Sequence, residues 1–143
     1  MPRRINILLV EDDELDVMNV RRAFRDAASI GSLHVARDGV EALQLLQSGQ
    51  VPLARLLVLL DLRMPRMGGL EFLEHLRADP RLRALPVVVL TTSQDAGDLR
   101  EAYRHHVAGY LLKPVSLAQF RDSMGRLQRY FSHVEFPWES DVP

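Results

Sequence analysis

Leu56-Leu57-Val58-Leu59-Leu60-Asp61-Leu62-Arg63-Met64-Pro65-Arg66-Met67-Gly68-Gly69 is the stretch on which the reading of this chain turns. An unbroken apolar run ends in a single carboxylate, and a Pro and a Gly-Gly turn follow. A strand that is apolar at every position is covered on both faces, as in a parallel α/β sheet. Asp61 then stands at the carboxyl end of a central strand, the edge at which open α/β sheets bind and react their ligands. A strand-end Asp also commonly opens a turn or caps the next helix. The rest of the chain has to decide between the two.

Working outward, Ile5 to Val10 is a second β-favouring apolar run, and it too ends in acid, Glu11-Asp12-Asp13-Glu14. Val17, Val20, Phe24 and Ala27 then recur at helical spacing, with Gly31 expected to help stop that helix. A short strand is expected over Leu33 to Ala36, and Asp38-Gly39 opens a helix with Val40, Leu43 and Leu46 inward, ended by Gly49. Beyond the Asp61 strand, Leu70, Leu73 and Leu76 mark a helix closed by Asp79-Pro80. Pro86 to Leu90 is another buried strand, ending in Thr91-Thr92-Ser93, and a helix follows from about Ala96 to His106. Gly109 to Leu112 is a short strand ending in Lys113-Pro114, and Leu117, Phe120, Met124, Leu127 and Phe131 stripe a last helix. Strands alternating with helices five times predict a doubly wound α/β fold with a five-stranded parallel sheet.

The bulk numbers narrow the function. At 143 residues the chain is expected to be one domain, with a core over about residues 5–130 and an aromatic tail over 131–143. A net charge of -1 gives no electrostatic case for nucleic acid or an anionic membrane. Without cysteine there is no thiolate metal site and no Cys nucleophile. No run is long enough for a signal or spanning segment, so a cytoplasmic protein is expected.

Four strands thus end in polar groups: Glu11-Asp12, Asp61, Thr91 and Lys113. In a parallel sheet all four ends lie on one edge and can converge. Each has a plainer role open to it. Asp13 and Glu14 read best as an acidic helix start favoured by the macrodipole. Thr91 would serve as a helix cap and Lys113 as a solvated loop charge. Together, however, converging carboxylates repel one another unless a cation sits among them. An all-oxygen cluster with room for water suits Mg²⁺, and a hydroxyl and an ammonium beside it can hold phosphoryl oxygens. The residues read as a phosphoryl site with a carboxylate acceptor.

At these residues the chain resembles the response-regulator receiver family. The matching pieces are Leu9 to Asp13, Leu60 to Pro65 with Gly69, Val89 to Ser93, and Gly109 to Pro114. The resemblance implies a flavodoxin-like (βα)5 fold with strand order 2-1-3-4-5. It implies that Asp61 accepts a phosphoryl group from a histidine kinase, and that Asp12 and Asp61 ligate Mg²⁺. The backbone carbonyl of Arg63 would join them, with Glu11 acting through a water. Lys113 would pair with the phosphoryl group or Asp61, Thr91 would move to bond it, and Tyr110 would change rotamer with Thr91. A cis peptide bond is expected before Pro114. Such a protein is a phosphoacceptor with slow self-catalysed transfer and hydrolysis rather than an enzyme. The connection around Gly49–Arg55, the Leu90 to Ser93 end and the Tyr130 to Pro137 tail further resemble single-domain regulators paired with bacterial phytochromes.

Rival classes meet specific residues. An aspartyl-phosphate phosphatase of the haloacid dehalogenase type expects a second Asp two residues after the nucleophile, where this chain has Arg63. A flavin-binding module expects a phosphate cradle after the first strand, where this chain is acidic. Few residues follow the last helix for a DNA-binding domain. The five histidines show no metal-ligand spacing, since adjacent His105 and His106 point to different sides of a helix. Of the nine aromatics, Tyr130, Phe131, Phe136 and Trp138 fall in the final segment. They must either fold back on the domain or meet a partner. A homodimer through the last helix and tail is expected, with the fourth-helix, fifth-strand and fifth-helix face implied by the phytochrome-associated resemblance.

Overall fold

The structure, a computed structural model, describes residues 3–139. Its elements alternate: β1 (Ile5–Val10), α1 (Glu14–Phe24), β2 (Ile30–Ala36), α2 (Gly39–Ser48), β3 (Leu56–Leu60), α3 (Gly69–Ala78), β4 (Val87–Thr91), α4 (Ala96–Arg104), β5 (Gly109–Leu112) and α5 (Leu117–Phe131). The strands form one parallel sheet in the order β2-β1-β3-β4-β5. Both the expected fold class and the strand order are present.

Every side chain of β3 is buried, as a strand covered on both faces requires. Val58 and Leu60 join Leu8, Val10, Val87 and Val89 in a core closed by Leu46, Phe72, Leu73 and Leu76. Leu57 and Leu59 face the other way, with Ile7, Leu9, Val88 and Leu90 against Val17, Val20, Phe120, Met124 and Phe131. Two apolar layers thus fix the sheet from both sides, each buried Leu or Val contributing about 2 kcal/mol. The polar groups that follow the strands gather along one edge.

Helix starts are set locally. Asp13, Asp38, Asp95 and Ser116 cap α1, α2, α4 and α5, each accepting from the backbone N–H three residues on. At α3 the cap is Gly68, and the constraint falls on Gly69 instead. A Cβ there would lie 2.5 Å from the Asp61 carbonyl oxygen and 2.8 Å from Leu62 Cα. Only glycine lets α3 begin this close to the end of β3. Gly49, at φ 80°, ends α2 in the left-handed conformation expected of it.

Three boundaries differ from the sequence expectation. α1 stops at Phe24, before Ala27, in a turn closed by Ala27 N–H donating to the Phe24 carbonyl. Gly31 does not stop that helix; it lies inside β2, which begins at Ile30. The β1–β2 register slips there, since Ile5 pairs with Ile30 but Asn6 with Ser32, so Gly31 is an irregularity where Asn6 crowds the backbone. α4 ends at Arg104 because His105 N–H turns to the Ala102 carbonyl and His106 adopts φ 59°.

The tail resolves the alternative left open by its aromatics. Phe131 is buried, Phe136 lies 6.3 Å from it ring to ring, and Trp138 packs against the α2/α3 side of the core. The strap is seated on Arg55, which is itself buried and held at φ 45°. The Arg55 guanidinium lies 4.6 Å over the Phe136 ring and donates to the Arg4 and Val134 carbonyls and to Glu139. Arg55 N–H donates to the Trp138 carbonyl at 2.8 Å, and its own carbonyl receives Asn6 N–H. The tail therefore folds back across the amino ends of β1 and β3, opposite Asp61. Of the four, only Tyr130 is strongly exposed; in the single chain the other three take the fold-back alternative. Residues 140–143, the last of the expected tail, lie outside the described residues.

Arg55→Ala leaves several carbonyls and Phe136 without their partner and is expected to cost at least about 2 kcal/mol in denaturant unfolding. Glu139→Ala, which removes a half-exposed carboxylate paired with Arg3 and Arg55, should cost less than about 1 kcal/mol. Equal losses would show that Arg55 is not what seats the tail.

Candidate functional site

Asp61 follows β3 directly. Its N–H donates to the Val10 carbonyl at 3.0 Å, locking the end of β3 to the end of β1. The residue is 7% exposed, with Oδ1 accepting from Leu62 N–H at 2.9 Å and Oδ2 lying 3.8 Å from Lys113 Nζ. Glu11 follows β1 and is buried, its N–H held by the Ala36 carbonyl. Asp12, next to it, is exposed. One carboxylate oxygen from each of Glu11, Asp12 and Asp61 lies within 4.8 Å of the other two. The three expected metal-ligating carboxylates are therefore together.

Lys113 reaches the cluster from the end of β5. Its Nζ donates to Glu11 Oε1 at 2.6 Å and to Asp16 Oδ2 at 2.7 Å. Burial works against its charge, but the bonds to Asp16 and Glu11 more than offset that, and its pKa is raised. For Glu11 the balance runs the other way. Burial pushes its carboxyl up to about 7 from the ordinary 4.5, opposed by the bond from Lys113 and reinforced by the charge of Asp61. A single ammonium among these acids leaves a surplus of negative charge, which a divalent cation relieves. The donors are all oxygen, and the exposed Asp12 leaves a wet side for water ligands, which fits a hard cation.

Thr91 ends β4 and is wholly buried, its Oγ1 accepting from Ser93 N–H at 3.3 Å. Thr91 does not cap α4; Asp95 does. Tyr110, in β5, is partly buried, and its hydroxyl donates to the Ser93 carbonyl at 3.0 Å. It borders a hollow of about 300 Å³ between α4 and β5. Arg63 holds its side chain at the surface, ion-paired with Asp98.

One expectation is corrected. No peptide bond among the described residues is cis, so Lys113–Pro114 is trans. An X-Pro bond favours trans by about 0.5–1 kcal/mol. With Lys113 N–H on the Thr91 carbonyl and its ammonium on Glu11 and Asp16, the trans chain already places Lys113 at the site.

Sequence reading missed Asp16, Ser93 and Asp98. Asp16 carried a faint signal, being an acid one helical turn beyond Asp12. Asp98 looked like an ordinary first-turn acid, and nothing local marks its pairing with Arg63, 35 residues away.

A parallel sheet in this order is a flavodoxin-like fold, here with three acids, a hydroxyl and an ammonium at its carboxyl edge. The chain belongs to the response-regulator receiver family: the model of the "Response regulator receiver domain" matches residues 7–124. Among curated relatives, the probable methanogenesis regulatory protein FilR2 of Methanothrix harundinacea is 43% identical over 128 residues, covering 87% of this chain and 82% of FilR2. Response regulator Rcp1 of Synechocystis sp. is 38% identical over 114 residues, 78% of each chain. Among solved structures, the phosphorylated cyanobacterial phytochrome response regulator RcpA superposes with a TM-score of 0.86 at 30% identity, covering 94% of this chain and 99% of RcpA. The Mn²⁺-bound form of Rcp1 gives 0.82 at 34% identity, covering 93% and 99%. The narrower resemblance to phytochrome-associated regulators is borne out.

The raised Glu11 carboxyl makes a pH prediction. Its folded pKa lies above its unfolded one, so its contribution to the metal-free fold is fully present below about pH 4.5 and is lost as pH rises through about 7. A cation must displace that proton, so Mg²⁺ affinity should weaken by up to about tenfold per pH unit below pH 7. Calorimetry from pH 8 to 6 checks this, with Glu11→Gln expected to flatten the dependence. A wild-type affinity independent of pH would refute it.

Proposed function

We propose that the protein is the phosphoacceptor of a two-component relay, taking its phosphoryl group on Asp61 from a histidine kinase, in the cytoplasm. The observation that carries this is the buried Asp61 carboxylate, with two further acids within 4.8 Å and an ammonium at 3.8 Å. An Asp61 oxygen bonds to phosphorus as the phosphorus–nitrogen bond of a phosphohistidine breaks. The electron pair returns to the imidazole, which takes a proton from solvent. Lys113 and Thr91 hold the transferred oxygens, and Tyr110 follows Thr91. Asp12, Asp61 and the Arg63 backbone carbonyl, with Glu11 through a water, would hold a Mg²⁺ ion, which when bound would supply neutralisation of the negative charge at the site. The phosphatase alternative needs an acid at position 63, where Arg63 is instead an ion-pair partner of Asp98.

The kinase suggested by the phytochrome-associated relatives is a bacteriophytochrome. A homodimer remains our reading of the outer face, now without the tail. Leu99 and Tyr103 of α4, Leu112 of β5 and Tyr130 of α5 are exposed large apolar residues on neighbouring elements. A two-fold pairing would bury each set against its copy.

A small phosphodonor with Mg²⁺ should add one phosphoryl group by intact mass, and Asp61→Asn should take up none. Asp12→Asn should weaken Mg²⁺ binding at least about tenfold through loss of an anionic ligand, whereas Thr91→Ala should bind it like the wild type. Labelling of Asp61→Asn, or unchanged metal affinity in Asp12→Asn, would refute the assignment. For the dimer, light scattering at roughly tens of micromolar, the weaker end of specific association, should give twice the chain mass. Leu112→Glu should return the monomer, and a monomeric wild type would end the proposal.

A further inference from the structure

Ser93 lies at the meeting point of three groups. Its N–H donates to Thr91 Oγ1 at 3.3 Å, its carbonyl accepts from the Tyr110 hydroxyl at 3.0 Å, and its own hydroxyl donates to Asp98 Oδ2 at 2.6 Å. That same Asp98 oxygen accepts from the Arg63 guanidinium. Asp98 is buried in the first turn of α4, where the helix dipole favours its charge, and its N–H is fixed by the Asp95 cap. Arg63 belongs to the β3–α3 loop and Ser93 to the β4–α4 loop, so one carboxylate oxygen joins the two loops that border Asp61.

We propose that Asp98 is a positioning residue that latches these loops together and thereby seats Tyr110. The chain of contacts is continuous. Arg63 and Ser93 share an acceptor, Ser93 presents its carbonyl to Tyr110, and the hydroxyl that Ser93 N–H holds is that of Thr91. When the Thr91 hydroxyl turns away from Ser93, the 2.6 Å bond to Asp98 still anchors the Ser93 hydroxyl, which also accepts from Asp95 N–H at 3.3 Å. Tyr110 borders a hollow also lined by Leu99 and Leu112, which stand exposed on the outer face. The position of its ring therefore changes the shape of that face. The consequence for signalling rests on the phosphoacceptor reading above; the seating of Tyr110 does not.

The test follows the ring signals of the protein's three tyrosines by NMR of ¹³C-tyrosine-labelled full chain without phosphodonor. Tyr103 and Tyr130, both exposed, serve as internal references. Asp98→Ala should move the Tyr110 signal toward theirs, with helix content by circular dichroism unchanged. Asp98→Asn keeps an oxygen for the Ser93 hydroxyl and should leave Tyr110 seated. Arg63→Ala added to Asp98→Ala should produce no further shift, since Arg63 acts through Asp98. An unmoved Tyr110 in Asp98→Ala, an equal shift in Asp98→Asn, or additive shifts in the double variant would each overturn the latch. With phosphodonor and Mg²⁺ added, Asp98→Ala should still take up one phosphoryl group while Tyr110 no longer responds to it. Failure of wild-type chain to take up phosphoryl would strike the phosphoacceptor reading alone, because the shifts without donor are read independently.

Discussion

Like charges forced together at the end of an apolar strand set the terms for the rest of this molecule. Glu11 and Asp61 are nearly dry because β1 and β3, the strands they terminate, are buried on both faces. In such a setting two carboxylates interact far more strongly than they would at a solvated surface. The fold supplies one internal counterion, Lys113, and that ammonium is shared with Asp16. The cost of holding acid here is visible in Glu11, whose carboxyl is raised to about 7 chiefly by burial, with the charge of Asp61 adding to it. A site in this condition favours a cation. Its chemistry follows from that electrostatic imbalance more than from any one residue.

The scaffold keeps this imbalance from relaxing. Asp61 N–H is fixed to the Val10 carbonyl and Glu11 N–H to the Ala36 carbonyl, so three adjacent strand ends are tied by backbone. Gly69 lets α3 start against the Asp61 carbonyl, leaving the β3–α3 loop little room to retreat. At the other end of the sheet, Arg55 spans the amino ends of the strands and holds the tail down with carbonyl bonds and the face of Phe136. No buried side-chain polar atom among the described residues lacks a partner. Rigid strand ends and satisfied polar groups concentrate any response in the loops after β3 and β4.

Most of the site was legible in the sequence because it is written at strand ends. An apolar run that stops at a carboxylate reveals both the burial and the group, so Asp61, Glu11, Asp12, Thr91 and Lys113 were found without knowing their distances. The fold followed from the same periodicity. What was hidden depended on partners far along the chain. Gly31 read as a helix stop because a register slip against Asn6 has no local signature. The tail's aromatics gave an interface and a fold-back as alternatives, and only the placement of Arg55, 81 residues before Phe136, decided it. The trans Lys113–Pro114 bond likewise had no local signature, since an X-Pro linkage accommodates either isomer.

These two kinds of residue divide the work differently. Groups at strand ends have positions dictated by the sheet, and substituting one removes chemistry while leaving its neighbours in place. Ser93 lies in the segment between β4 and α4, and Asp98 faces it from the first turn of α4; the position of that segment depends on a few hydrogen bonds rather than on two apolar layers. Thr91 is buried at the end of its strand, but its hydroxyl meets the first residue of that freer segment, Ser93 N–H, at 3.3 Å. A charge placed on Asp61 and drawing that hydroxyl toward it would loosen a bond in the segment after β4. The motion would then pass along Ser93 to Tyr110 and the exposed residues of α4 and β5, while the apolar layers need not repack. Coupling of this sort needs a rigid acceptor next to a loop held by few contacts, and the boundary between β4 and the segment after it provides both.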